Sequence, residues 1–382
     1  MKKSCLIIAG EKSGEEHCET FYPELISAFP HCDFFGVGGD LMIKRGFRTL
    51  FHLKEFSSWG ISEVVLRIPF YFNALKKIES EVERTGCQVA ILIDFQTFNL
   101  KLATKLSAKG VKVLYYVAPQ AWAWKAWRAQ VLAKTVDTLF TILPFEKEWF
   151  LARGVKQVHS INHPLLRSYQ DRLNHFNRVV THFEREGGIK RIVLLPGSRN
   201  FEVRNLLPEF LAAIEILKKE FRIEVGVVTT SSVENRIYLP YLNRIEKQFK
   251  SEDLADALLW ADVALAASGT VTLTCALFQL PTVVAYKTSI LNEFIYENFI
   301  SYKGPISLAN ILHQAPALFP ELVQNGCSGF NIAKIVKCWL TDRPLYEKII
   351  SQLKLTADFS KGSDGPEVKK MIEVLSSSGG VV

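Results

Sequence analysis

At 382 residues, 48% hydrophobic and 22% charged, the chain is long enough for two globular domains, each with a sizeable buried core. Its formal net charge of +7 admits anionic partners such as nucleotides, phosphorylated sugars or acidic lipid surfaces, while no dense Lys/Arg run or recognisable motif points to nucleic acid. No apolar run of about 18 residues is present to span a bilayer, and the seven cysteines are scattered with no C-x-x-C pair, so zinc and dithiol motifs are excluded and reduced cytosolic thiols are expected.

The opening "MKKSCLIIAGEKSGEE" imitates a signal peptide, but its apolar run is too short and turns polar, so Ser4–Ala9 is predicted as a first strand. A turn over 10–14 and a helix reaching Ala28 follow. Asp33–Val37 reads as a second strand, closed by glycines. Val89–Ile93, Val111–Val117 and Thr138–Ile142 are further buried strands. From Tyr169 to Lys190 the chain is charged and contains Gly187-Gly188, which predicts an interdomain connection. The pattern then restarts with strands at Arg191–Leu195, Glu224–Val228, Val263–Ala266 and Thr282–Tyr286. Short apolar runs alternating with amphipathic segments predict two doubly wound α/β domains in series, at 1–170 and 188–382, with the last helix able to return to the first. In such sheets ligands bind at the carboxyl ends of strands near the topological switch point.

Several motifs stand at such ends, each with a bland and a sharp reading. "AGEKSGEE" (Ala9–Glu16) is a strand-to-helix turn without Walker A or G-x-G-x-x-G spacing. Ser13 and Gly14 either form an ordinary capped turn or offer donors to a polar ligand. In "ILIDFQTFN" Asp94 follows a buried strand and is either a turn aspartate or a general base whose pKa burial raises. "YYVAPQAWAWKAWR" places Trp122, Trp124 and Trp127 around one predicted helical turn. Core packing explains most of these tryptophans, with Gln120 at the helix start as a candidate ligand contact.

"LLPGSR" ends a strand on Gly197, Ser198 and Arg199, and "ALAASGTVTLTCAL" does the same on Ser268, Gly269 and Thr270. One helix start with a nearby cation is weak evidence for an anion site; two in one half, with Arg199, point to a nucleotide diphosphate. Asn310, polar within "ISLANIL", is either a cap or a group reaching the same ligand. In "GISEVVLRIPFYFNALKKI" the apolar Ile61, Val64, Val65, Ile68 and Phe72 fall at helical spacing beside Arg67, Lys76 and Lys77. That stripe packs a core or lies on a membrane surface.

The order of these pieces, from "AGEKSGE", "FGVGGDLM", "WGISEVV" and "LIDFQTFN" through "YYVAPQAWAW", "LPFEKEWF", "NHPL" and "LLPGSR" to "ASGTVTLTCAL" and "SLANIL", resembles the lipid-A-disaccharide synthase family over most of the chain. The resemblance implies a GT-B glycosyltransferase with two facing Rossmann-like domains and an interdomain cleft. It implies inverting transfer of diacylglucosamine from UDP-2,3-diacylglucosamine to the 6-hydroxyl of 2,3-diacylglucosamine 1-phosphate, giving a β-1,6 disaccharide and UDP.

By the same resemblance the first half holds the acylated acceptor, with Glu11, Ser13, Gly14 and Gln120 as contacts and Asp94 as base. The second half holds UDP, with Gly197, Ser198, Arg199, Ser268, Gly269, Thr270 and Asn310. No cofactor or metal is implied, in keeping with the lack of a D-x-D pair. The acyl chains imply peripheral attachment to the cytoplasmic face of the inner membrane through the 61–72 stripe; oligomeric state is left open. The chain departs from the family pattern at Glu15, where Asp is usual, and at Thr97 and Thr274, where acidic residues are usual. Those departures keep two other readings open: another UDP-sugar enzyme of the GT-B class, and a homologue that binds lipid or nucleotide without catalysis.

Overall fold

The computed structural model describes residues 3–56, 67–287, 304–315 and 318–378. Two compact units are present, one comprising Met1–Ser168 with Ser360–Val382 and the other Tyr169–Phe359.

Each unit is built on one parallel sheet. In the first, β1 (Ser4–Ala9), β2 (Asp33–Gly38), β3 (Arg48–His52), β4 (Val89–Ile93), β5 (Lys112–Tyr116), β6 (Thr138–Thr141) and β7 (Val158–Ser160) lie in the order β3-β2-β1-β4-β5-β6-β7. Successive side chains of a strand point to opposite faces, and both faces here are covered. Leu6 and Ile8 enter one core with Ala90 and Leu92, whereas Cys5, Ile7 and Ala9 enter the other with Val89, Ile91 and Ile93. This two-sided burial is why the strands read as unbroken apolar runs.

In the second unit β8 (Lys190–Leu195), β9 (Ile223–Thr229), β10 (Lys247–Lys250), β11 (Val263–Ala267), β12 (Thr282–Tyr286) and β13 (Glu321–Val323) lie in the order β10-β9-β8-β11-β12-β13. Both orders contain the Rossmann arrangement, in which the order of successive strands reverses between the first and fourth strands. The switch points therefore fall between β1 and β4 and between β8 and β11. The turns carrying Glu11, Asp94, Gly197–Arg199 and Ser268–Thr270 leave the carboxyl ends of those four strands.

The expected connection over 169–190 differs from what is found. Tyr169, Leu173, Phe176, Val180 and Phe183 pack against the second core, so the second unit begins at Tyr169 rather than at residue 188. The charge that resembled a solvated linker has structural uses. Arg178 donates to the carbonyls of Leu258 (2.6 Å), Ala261 (2.8 Å) and Phe278 (2.9 Å), groups that helix and turn ends leave unpaired.

The helix Glu367–Ser377 belongs to the first unit, where Val368, Met371, Val374 and Leu375 enter the core. Its first residue, buried Glu367, accepts from Tyr116 Oη (3.2 Å) and Arg167 Nη1 (3.1 Å), so its charge is paired inside the fold. The helix expected through Ala28 is two, Lys12–Glu19 and Tyr22–Ala28, the second entered through Pro23 in its first turn.

Candidate active site

Asp94 is the first residue beyond β4, and it and Phe95 both adopt left-handed backbone (φ 44° each). Such conformations in non-glycine residues persist only where neighbours over-determine them. Here buried Asn99 donates from Nδ2 to the carbonyls of Ile93 (3.1 Å) and Asp94 (2.8 Å), and Tyr115 Oη donates to the same Asp94 carbonyl (2.8 Å). Gly10 is needed on the other side, since a Cβ there would meet the Phe95 ring at 2.8 Å.

The pinned turn presents Asp94 to a cavity of about 510 Å³ lined by Glu11, Ile68, Tyr71, Phe72, Leu75, Asp94, Phe95, Gln96, Thr97, Phe98 and Lys101. Four of the lining residues are aromatic, with Phe95 and Phe98 centroids 5.7 Å apart and Phe98 stacked edge-on to Phe56 at 5.2 Å. Loss of water raises the Asp94 pKa, and the nearby Glu11 carboxylate adds to the rise, carrying it to about 6. A carboxyl group of this kind is ionised at neutral pH yet basic enough to accept a proton from a hydroxyl.

The other residues expected beside an acceptor are distributed unevenly. Glu11 is the N-cap of the helix Lys12–Glu19 and lines the cavity. Ser13 and Gly14 lie inside that helix's first turn and do not line it. Glu15 is buried and caps a different helix, accepting from Leu41 N (2.9 Å) and Met42 N (3.2 Å).

Gln120 is corrected from helix start to exposed turn; its carbonyl accepts from Ala123 N (3.1 Å), and the helix begins only at Arg128. The tryptophans expected in the core are not buried there. Trp124 and Trp127 are 39% and 56% exposed, and Trp122 is half-buried, donating from Nε1 to Glu146 (3.0 Å). Buried Glu146, whose pKa burial pushes up to about 7, also accepts from Ile142 N and Leu143 N. The sequence alone assigned it no role, and a glutamate in the first turn of a helix carries no local sign of burial.

Of the apolar stripe, Ile61, Val64 and Val65 lie outside the described residues. Ile68 and Phe72 open the helix Ile68–Thr85, are 46% and 54% exposed and line the cavity, while Leu75 and Ile78 further along are buried. The stripe is thus core over its later turns and open at its start.

In the second unit, Gly197 has φ 111°, and a Cβ there would lie 2.3 Å from Glu202 Oε2. That carboxylate closes a capping arrangement, accepting from Ser198 N (2.9 Å) and Arg199 N (3.3 Å), and Glu202 Oε1 pairs with Arg199 Nη1 at 3.0 Å. The donors expected to meet a diphosphate are thus engaged by the chain's own carboxylate. A glutamate three residues past a cap was a readable sign of this.

The second turn is open. Gly269 and Thr270 are exposed at the start of the helix Thr270–Leu277, and Ser268 Oγ donates to the Ile306 carbonyl (3.1 Å). Asn310, expected to reach a ligand, is wholly buried. Its Nδ2 donates to the Phe319 carbonyl (2.8 Å) and Glu321 Oε1 (2.7 Å), and its Oδ1 accepts from Phe319 N (2.8 Å). Glu321 in turn accepts from Ile306 N and Ser307 N (2.9 Å each), so Asn310 steadies the loop that meets Ser268. Thr274 is buried in its helix, and Thr97 faces the cavity.

Two Rossmann-type sheets, one with an open helix start at its switch point and the other with a carboxyl group in a largely apolar cavity, have the α/β architecture of GT-B type enzymes. The fold is shared with spinosyn rhamnosyltransferase SpnG (TM-score 0.58, 10% identity, 98% of this chain and 100% of that one). The family model described as lipid-A-disaccharide synthetase matches residues 5–362. Lipid-A-disaccharide synthase of Nitrosococcus oceani is 33% identical over 330 residues, covering 86% of this chain and 84% of its own length. That of Paramagnetospirillum magneticum is 34% identical over 348 residues, covering 88% and 87%. The chain belongs to the lipid-A-disaccharide synthase family and is a glycosyltransferase of lipid A biosynthesis. Among the described residues no helix is long and apolar enough to cross a membrane.

Proposed function

We propose that the protein transfers diacylglucosamine from UDP-2,3-diacylglucosamine to the 6-hydroxyl of 2,3-diacylglucosamine 1-phosphate with inversion at the anomeric carbon. The observation that carries this reading is Asp94, a carboxyl group held on a strained turn in an apolar cavity with its pKa at about 6. Asp94 takes the proton from the attacking hydroxyl as its oxygen bonds to the anomeric carbon on the face opposite UDP. The bond from that carbon to the diphosphate oxygen breaks, and UDP carries away the electron pair. Developing charge on the diphosphate is met at the Ser268-Gly269-Thr270 helix start and by Arg199, which exchanges Glu202 for the ligand beside Gly197 and Ser198. Glu11 keeps Asp94 basic. Asn310 acts through the loop it holds.

The apolar wall suits acyl chains, and exposed Ile68 and Phe72 continue it outward to a membrane surface, with Ile61, Val64 and Val65 beside them in sequence. This surface supports a working position at the cytoplasmic face of the inner membrane. Thr97 and Thr274, where the family pattern is acidic, favour a second reading, a homologue that binds these ligands without turnover. One experiment decides between them. Purified protein is incubated with both substrates, and UDP and disaccharide are sought by mass spectrometry, with Asp94→Asn alongside. Disaccharide from the wild type alone supports transfer; tight binding without product supports the second reading.

A further inference from the structure

Arg128 is only 3% exposed, yet the hydrogen bonds of its guanidinium among the described residues include no carboxylate. Its Nη1 donates to the neutral amide oxygen of Gln96, its Nε is buried with no partner, and the Trp124 ring lies 5.4 Å from its Cζ. Buried arginines are almost always paired with an anion, because the desolvated charge is otherwise uncompensated. Gln96 lines the Asp94 cavity, so this guanidinium stands directly behind the cavity wall. Lys101 lines the same cavity from the same helix, Gln96–Ala108, with its ammonium 5.7 Å from the Phe72 centroid. It follows Thr97 by four residues, so the two share a helix face. Among the described residues the other charged groups of the lining are the carboxylates of Glu11 and Asp94. An anion in the cavity is repelled by those two carboxylates and attracted by the Lys101 ammonium and the Arg128 guanidinium behind Gln96.

We propose that Lys101 and Arg128 form an anion subsite at the Gln96 side of the cavity, which takes the phosphate monoester of the acceptor sugar. Two charge-bearing donors on one flank would fix the sugar's direction, leaving its free hydroxyl toward Asp94 and its phosphate away from Glu11. The inference rests on the acceptor assignment made above and extends it to the residues that select a phosphorylated sugar.

The test compares transfer to diacylglucosamine 1-phosphate with transfer to the same sugar lacking phosphate. The wild type should prefer the phosphorylated acceptor in kcat/KM. Lys101→Ala should reduce that preference by about 10- to 100-fold, the span of one hydrogen bond to a charged group, chiefly through KM. Lys101→Arg should restore most of it. Arg128→Gln should reduce it likewise, with thermal melting read beside it because Arg128 is buried; if that variant fails to fold, the Lys101 pair decides. A preference untouched by Lys101→Ala overturns the subsite. A wild type that forms no disaccharide overturns the transfer reading instead. Equilibrium binding of the two sugars to wild type and Lys101→Ala then judges the subsite alone. Loss of affinity for the phosphorylated sugar only supports it, and equal affinities of the two proteins overturn it.

Discussion

Asp94→Asn keeps the side chain's size while removing its charge and its basicity. Burial and Glu11 raise the Asp94 pKa from an ordinary 3.8 to about 6. At about 1.4 kcal/mol per pKa unit, folding opposes the ionised form by about 3 kcal/mol. Because the folded value is the higher one, the native protein holds this proton more tightly than the unfolded chain does. The penalty is absent below about pH 4, where both states are protonated, grows as pH rises to about 6, and is full above that. Asparagine carries no such penalty. The variant should therefore be more stable than the wild type at pH 8, by up to about 3 kcal/mol, with the gap closing toward pH 4. Turnover should move the opposite way, falling by roughly 100-fold or more, the scale for loss of a general base. Wild-type kcat should itself rise with pH through about 6. Urea unfolding of both proteins from pH 4 to 8, beside UDP release from the same preparations, measures both effects. A stability gap that does not vary with pH would refute the burial argument, and full turnover in the variant would show that another group accepts the proton.

Arg199→Ala should weaken UDP binding by about 2–3 kcal/mol, the scale of a charged hydrogen bond; titration calorimetry reads this, and unchanged affinity would remove Arg199 from the diphosphate. Asn310→Ala breaks the side-chain hydrogen bonds to Phe319 and Glu321 and should destabilise the protein by about 2–4 kcal/mol, whereas a fully stable variant with lost UDP binding would return Asn310 to direct ligand contact. The double variant Ile68→Ser with Phe72→Ser alters exposed positions, so unfolding free energy should stay within about 1 kcal/mol while sedimentation with anionic vesicles declines. Unfolding of that variant would instead assign both side chains to the core.

The strands that could be read from the sequence share one property: each has a strand on both sides. β1, β2, β4, β5, β6, β8, β9, β11 and β12 are interior, and burial on both faces makes them apolar along their length. The four strands left unread, β3, β7, β10 and β13, are the four sheet edges. Their residues, such as Arg48, His159, Lys247 and Glu321, are mixed in polarity because one side of the backbone meets no neighbouring strand among the described residues. The positions of Asp94, Gly197–Arg199 and Ser268–Thr270 at strand ends were legible for the same reason, each following an interior strand. What a side chain then bonds to was not. Asn310 facing Phe319 and Glu321 is the outcome of a loop closure that no local pattern announces, and Glu202 at the third position past a cap is the one such contact with a sequence sign. The tryptophans misled because aromatic clusters usually pack inward, whereas Trp124 lies beside Lys125 and Arg128 with an open face.

The return of residues 360–378 to the first unit has a consequence for biosynthesis. A ribosome delivers Ser168 long before Glu367, so the first sheet emerges with the surface that Val368, Met371 and Leu375 will cover still bare. The second unit, continuous from Tyr169 to Phe359, can close in the interval. At about 5–20 residues per second, roughly 200 further residues take on the order of 10–40 s, during which Tyr116 and Arg167 wait for the carboxylate of Glu367. The half of the protein made first is thus the half finished last, because its closing helix is among the last segments synthesised.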